Sequence, residues 1–445
     1  MPVIIALFFC LLSSCSFTQG YKIDVEIKGA ENKKIYLGTY YGNQKLVLDS
    51  CMLNASGKGV FQNKEKLPEG LCLIIIPEEA FFDIIINSNQ HFAIFNDMKN
   101  TTENLSFKGS EENTWFADYQ KFAYKLYREM AFAGTGVDDT RANAIRDSLG
   151  NLIKTKRQEV IKQRKGSFLS TILYAMEEPE IPGDILAAGE DASFLYYKQH
   201  YFDHIDFTDD RMLQTPVLDN KFNHFFMQLC EWNPDTVTRY GLWLAEKAEN
   251  SRYFFYYVFN HLYHGFSVTG KFNCDEAYVA LIKKYLESGK LWWADDNFVY
   301  GAKMQLKLLE PTLAGGPAPE LSLLDTSRNP FDLSKIKSKW LLLFFWDPEC
   351  SHCASFYTAF GELARQPQYS EMTFVAVNIG SNYETWMSYI ASHNVPFIHT
   401  MSDPEKKSLL DAWNLFATPR IFVLDTSRKI MLKDPDPGYL LLYLK

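Results

Sequence analysis

The stretch "FFWDPECSHC", Phe344 to Cys353, ends an apolar run with two cysteines separated only by Ser351 and His352. A CxxC pair serves as a zinc half-site, a haem attachment point or a redox couple, and its surroundings choose among them. Haem attachment needs a histidine directly after the second cysteine, and residue 354 is Ala. A structural zinc needs four ligands, usually from two paired motifs, and no second CxxC or HxxxH follows in this part of the chain. What remains is a dithiol where a strand hands over to a helix, whose N-terminal N–H groups and partial positive charge favour a thiolate. On that reading Cys350 is the exposed attacking sulfur with a lowered pKa, and Cys353, one turn inward, resolves the mixed disulfide. The His352 imidazole adds a second stabilising influence on the thiolate.

Around this motif strands and helices alternate. "WLLLFFW" reads as a buried strand, residues 351–366 as a helix with Cys353, Phe356, Tyr357, Phe360 and Leu363 inward, "MTFVAVNIG" as a second strand and "NYETWMSYIASHN" as a helix. "FIHTMS" follows as a short strand, "PEKKSLLDAWNL" as a helix, "RIFVLDTSRKIMLKD" as two antiparallel strands and "PGYLLLYLK" as a short final helix. This order implies a sheet covered by helices. In "NLFATPRIFVLD" a proline stands before an apolar strand, where it is tolerated only at a strand's start or edge. A cis Thr418–Pro419 bond facing the cysteines explains it.

Taken together, "GGPAPELSLLD", "KWLLLFFWDPECSHC" and "FATPRIFVLD" resemble the thioredoxin superfamily, specifically the exported TlpA/ResA-type thiol-disulfide oxidoreductases of the bacterial envelope. The resemblance runs from Pro311 to Lys445. It implies Cys350 as nucleophile, Cys353 as resolving thiol, Pro419 as the cis-proline and Thr418 as the source of backbone hydrogen bonds to a substrate peptide. His352 occupies a variable position that is also histidine in protein disulfide isomerase and periplasmic disulfide oxidases. Two departures stand out. The family's buried acid six residues before the first cysteine is Phe344 here, and the other carboxylate position, six after it, is Phe356. Asp347, Glu349 and His352 are the nearby proton acceptors, the first two reading rather as charges at a helix start. The Pro-x-x-x-Thr/Ser-x-x-Cys frame of peroxiredoxins is absent, with Leu343 and Asp347 ahead of Cys350 and Trp346 and Cys350 ahead of Cys353.

The 445 residues exceed one ordinary core, and 47% hydrophobic with 22% charged content is globular. A net charge of -9 argues against nucleic acid as a partner, since phosphate binding needs a positive field. Residues 1–20 form a signal peptide, apolar from Val3 to Leu12. Leu12-Ser13-Ser14-Cys15 looks like a bacterial lipobox with Cys15 as the lipidated residue. The alternative is cleavage after Ser16 or Gly20, releasing a soluble protein. The leader lacks Lys and Arg, so a start codon further upstream fits either case. Residues 21–110 alternate through about eight short strands, an all-β module. Residues 111–310 switch to helical periodicity, with Ser110 at a helix N-cap position, and a Pro/Gly-rich boundary leads to residues 311–445. The first two modules resemble two uncharacterised domain families that precede thioredoxin-like domains in Gram-negative envelope proteins.

Cys51, Cys72, Cys230 and Cys274 allow three full disulfide pairings or serve as small buried hydrophobes. His200 and His204, beside Asp203 and Asp206, have the i, i+4 spacing of a helical metal pair, but no third ligand is evident and packing explains them better. The basic stretch Lys154 to Lys165 reads as a solvated helix face. The expectation is a multidomain protein, an all-β module and an α-helical domain followed by an α/β thioredoxin-like fold, facing the periplasm as an outer-membrane lipoprotein or a soluble form. Its reaction is thiol-disulfide exchange on protein thiols or disulfides, without a dissociable cofactor or metal, recycled by an unidentified electron donor or acceptor. The competing expectation is a non-catalytic binding or assembly lipoprotein that uses the last domain as a docking platform.

Overall fold

The computed structural model describes residues 20–133, 139–230, 233–267, 271–272, 274–380, 382–403 and 411–442. The leader with Cys15 therefore lies outside the described residues. The chain forms two compact units, residues 1–231 with 247–257, and residues 232–246 with 258–445.

The first unit opens with β1 (Tyr21–Lys28), β2 (Lys34–Tyr41), β3 (Gln44–Met52), β4 (Lys58–Asn63), β5 (Gly70–Ile76), β6 (Ala80–Ile86), β7 (His91–Asp97) and β8 (Ser106–Lys108). They form two four-stranded sheets, ordered β4-β1-β7-β8 and β3-β2-β5-β6. β1 shows why: Tyr21, Ile23, Val25 and Ile27 point inward and alternate with solvent-side residues. They share one core with Ile35 and Leu37 of β2, Ile74 of β5 and Ile84 of β6, so the two sheets pack face to face. The first unit's helices are α1 (Glu111–Phe132), α2 (Asp139–Gln163), α3 (Phe168–Ala175), α4 (Gly183–Ala187), α5 (Glu190–His200) and α6 (Val217–His224), while α7 (Pro234–Ala248) and α8 (Arg252–Phe266) lie mostly, and α9 (Asp275–Tyr285) and α10 (Asp296–Leu309) wholly, in the second unit.

Ser110 occupies the N-cap position of α1, as its place in the sequence indicates, while its side chain makes no capping bond. Its Oγ instead accepts from Asn113 Nδ2 at 3.0 Å, while the Asn113 amide pairs with both main-chain groups of Ile85 at 2.7 Å and binds α1 to β6. After Pro216 the chain passes from α6 into a π-helical turn, Phe225–Leu229, which buries Phe225, Phe226 and Leu229.

The second unit carries β9 (Leu323–Asp325), β10 (Pro330–Phe331), β11 (Trp340–Trp346), α11 (Ser351–Leu363), β12 (Met372–Asn378), α12 (Tyr383–His393), β13 (Ile398–Ser402), β14 (Arg420–Leu424) and β15 (Ile430–Lys433). These strands make a seven-stranded sheet, β10-β9-β13-β12-β11-β14-β15. β11, β12 and β13 are parallel, while β14 and β15 run antiparallel. β11 explains its unbroken apolar run. Leu342, Phe344 and Trp346 enter the core beneath α11, and Leu341, Leu343 and Phe345 enter a second core on the opposite face. Trp413 and Leu415 close that second core; the helix expected over "PEKKSLLDAWNL" falls largely on residues 404–410, outside the described residues. The expected final helix is a short 3-10 turn, Pro437–Leu442, whose Leu440 is buried with the α11 core. β9 and β10, too short for a periodic signal, extend the sheet beyond the sequence reading.

α11 lies close to the segment before β13. A Cβ added at Gly361 would stand 2.5 Å from Val395 Cγ1, inside any real contact distance. Overpacking costs about 1–3 kcal/mol, against about 1 kcal/mol gained from the better helix propensity of alanine. Gly361→Ala should therefore lower the thermal midpoint of the second unit, read by calorimetry; an unchanged or raised midpoint contradicts this packing.

Candidate active site

β11 ends at Trp346, Asp347-Pro348-Glu349 turn the chain, and α11 begins with Cys350 at its N-cap position. Asp347 builds the turn: its carbonyl accepts from Cys350 N at 3.0 Å and its Oδ1 from Glu349 N at 2.9 Å. The Cys350 carbonyl in turn accepts from Cys353 N at 3.1 Å. Across from this turn the Thr418–Pro419 peptide is cis, and the Thr418 carbonyl lies 3.6 Å from Cys350 Sγ as acceptor of the thiol. The start of β14 is fixed behind that peptide. Ile421 N donates to Asp434 Oδ1 at 2.9 Å, Asp434 N donates to the Ile421 carbonyl at 2.7 Å, and Arg420 Nη2 stands 3.1 Å from Asp434 Oδ2.

The two sulfurs differ in environment. Cys350 is half-buried, Cys353 fully buried. Burial pushes the Cys350 thiol up, but hydrogen bonds from the Cys353 thiol, from Thr418 and from the main-chain N–H groups of Cys353 and His352 outweigh it, leaving its pKa below the ordinary cysteine value. Burial first, and its bond to Cys350 second, push the Cys353 thiol up to about 12. One sulfur is made ready to ionise and the other to keep its proton.

The structure thus brings Cys350, Cys353, Thr418 and Pro419 together. It places the His352 side chain outward in solvent, and the part of His352 that reaches Cys350 is its main-chain N–H. Phe344 and Phe356, at the two positions where a carboxylate would help, pack with Phe360 at 6.0 and 6.2 Å between ring centroids. None of the six described cysteines is in a disulfide, and burial raises the Cys72 and Cys274 thiols to about 12 and Cys51 to about 11. His200 and His204 do not share a helix, because α5 ends at His200. His200 Nδ1 lies 2.6 Å from Asp203 Oδ2, His204 Nδ1 lies 3.2 Å from the Glu177 carbonyl, and no metal-binding cluster of three groups occurs among the described residues. Lys154 to Lys165 is partly engaged, with Arg157 Nη1 on Glu177 Oε1 at 3.1 Å and Arg164 over the Trp115 ring at 3.9 Å. No described helix is long and apolar enough to cross a membrane. His399 and Tyr389, which no motif in the sequence singles out, flank the aromatic cluster behind Cys353; a polar residue on the inward side of "FIHTMS" is the available signal for His399.

Residues 314–433 match the AhpC/TSA family, residues 21–116 match the domain of unknown function DUF4369, and residues 149–296 match the domain of unknown function DUF5106. The thiol-disulfide oxidoreductase ResA of Bacillus subtilis (strain 168) is 26% identical over 117 residues, covering 26% of this chain and 64% of that relative's length. A thioredoxin-like protein from Bacteroides caccae superimposes with a TM-score of 0.48 at 16% identity, over 60% of this chain and 97% of that one. A thiol:disulfide interchange protein from Bacteroides sp. gives a TM-score of 0.28 at 21% identity, over 30% of this chain and 89% of its own.

The hydrogen bond from Cys353 to Cys350 has a measurable consequence. Alkylation of the reduced protein should label Cys350 rapidly below the ordinary thiol pKa and leave Cys353 unlabelled. In Cys353→Ala the midpoint for Cys350 should rise by about one pH unit, since a hydrogen bond to a charged group contributes ~1.5–3 kcal/mol and one pKa unit corresponds to ~1.4 kcal/mol. An unmoved midpoint shows that the bond is not responsible.

Proposed function

We propose that this chain, a homologue of ResA with an AhpC/TSA, thioredoxin-like domain behind two domains of unknown function, is a thiol-disulfide oxidoreductase working through the Cys350/Cys353 pair. The observation that carries the reading is the pairing of a thiolate-favouring Cys350 with a proton-holding Cys353, both beside the cis Thr418–Pro419 peptide. Cys350 attacks a substrate disulfide, forming a bond to one substrate sulfur and releasing the other as thiolate. Cys353 then attacks Cys350 Sγ, forming the Cys350–Cys353 disulfide and releasing the second substrate thiol. Two electrons pass from the dithiol to the substrate, and an external dithiol returns them; in the reverse direction the disulfide oxidises substrate thiols. Thr418 and Pro419 align the substrate peptide beside Cys350, and His352 assists mainly through its main-chain N–H. The site works outside the cytoplasm: cleavage before Cys15 and lipidation of that residue hold the protein to the outer membrane, or cleavage after Ser16 or Gly20 leaves a soluble periplasmic form.

The aromatic occupation of both carboxylate positions favours a second reading, a docking platform with a structural pair of cysteines. An insulin-reduction assay separates the two. The wild-type chain should reduce insulin with dithiothreitol as donor, Cys350→Ser should fall to the uncatalysed rate, and Cys353→Ser should accumulate a covalent substrate adduct that excess thiol releases. Full activity in Cys350→Ser, or none in the wild type, contradicts catalysis. The reduction potential then assigns direction, about -270 mV for a reductant and about -120 mV for an oxidant.

A further inference from the structure

The segment that leads into the Thr418–Pro419 peptide is anchored from within. Trp413 and Leu415 are buried in the second core, and the Trp413 indole N–H donates to the Glu320 carbonyl at 3.3 Å. Asn414 between them takes a left-handed backbone, φ +51°, which asparagine tolerates better than most residues. Further along, the Thr418 carbonyl accepts from Cys350 Sγ at 3.6 Å, and Ile421 N donates to Asp434 Oδ1 at 2.9 Å. The residues between these anchors are held at both ends.

Phe416 departs from the pattern of its neighbours. Its side chain is 63% exposed, and Ala417 beside it is exposed as well. Among the described residues from 311 onward, the exposed large hydrophobic side chains are Phe416 and Met431, and Met431 lies out on the edge strand β15. A single exposed phenylalanine needs no explanation on an arbitrary surface. Phe416, however, is two residues from Thr418, a main-chain span of at most ~7 Å. The Thr418 carbonyl touches the attacking sulfur, so a substrate chain whose disulfide reaches Cys350 passes within a few residues of the phenyl ring. At the start of α11, on the other side of that sulfur, the exposed side chains Glu349, Ser351 and His352 are polar.

We infer that Phe416 is a specificity-determining residue: its ring receives an apolar side chain two or three positions from the substrate's cysteine, and so selects extended peptides with leucine-, methionine- or phenylalanine-type residues there. This rests on the exchange reaction proposed above. An extended chain advances ~3.3 Å per residue, which sets that spacing between the residue meeting Phe416 and the one whose sulfur meets Cys350. The contact forms before any bond changes, by holding the substrate disulfide against Cys350, and leaves the chemistry at the two sulfurs as written. A ring mounted between fixed points loses little freedom when it is covered, the property that makes aromatic side chains effective anchors.

Three disulfides serve as probes of the full-length reduced protein: a peptide dimer linked through one cysteine with leucines two and three positions away on both sides, the same dimer with serines there, and the small neutral hydroxyethyl disulfide. The second-order rate at which each oxidises the protein is divided by its rate with free dithiothreitol, which removes the intrinsic reactivity of the probe. In wild type the leucine peptide should react about tenfold faster than the serine peptide, the scale of covering one apolar side chain. In Phe416→Ser that ratio should fall to within about twofold, while hydroxyethyl disulfide reacts as before and the alkylation midpoint of Cys350 does not move. Phe416→Leu should keep most of the preference. A wild type that treats both peptides alike, a preference that survives in Phe416→Ser, or equal slowing with all three probes overturns the inference. Failure of hydroxyethyl disulfide to oxidise the wild-type pair instead defeats the exchange reaction itself.

Discussion

The burial of β11 on both faces is the constraint on which the second unit depends. A strand with Leu341, Leu343 and Phe345 in one core and Leu342, Phe344 and Trp346 in the other has no solvent face. Its register is correspondingly strict, because a slip of one residue exchanges the two sets of side chains. Register in turn fixes where the chain emerges at Asp347, and so where the N-terminus of α11 presents Cys350. The antiparallel neighbour β14 is held to β11 from Leu341 to Phe345, which brings Thr418 and Pro419 to the same end of the sheet. The proximity of two segments far apart in sequence follows from strand pairing alone.

At that end, chemistry is divided between main chain and side chain. The groups that favour the Cys350 thiolate are first its partner sulfur and Thr418 and then the main-chain N–H groups of Cys353 and His352, so an outward-facing His352 side chain is no obstacle to it. The interior behind Cys353 is aromatic: Trp346, Tyr357 and Tyr389 lie within 5.2 Å of one another between centroids. Such packing raises the cost of ionising Cys353.

Much of this was legible in the residues because strong local signals coincide with tertiary need. β1 alternates as a half-buried strand must, β11 is apolar throughout as a doubly buried strand must be, and Thr418–Pro419 stands where only a special backbone geometry accommodates proline. What was not legible depends on partners distant in sequence. Ser110 stands at the N-cap as its position indicates, but that Asn113 donates to its hydroxyl is not readable from the sequence. His200 and His204 look paired until α5 stops between them. His399 gains interest only once β13 is placed beside β12, which no periodicity of "FIHTMS" reveals.

The unequal acidity of the two sulfurs also sets the proton inventory of the couple. Between the lowered pKa of Cys350 and about 12 for Cys353, the reduced site holds one proton rather than two. In the exchange proposed above, two electrons then travel with a single proton, and the midpoint potential falls by about 30 mV per pH unit, half the slope of an ordinary dithiol. Across that window the site is correspondingly less sensitive to the acidity of its surroundings, and each oxidation removes one negative charge from the N-terminus of α11.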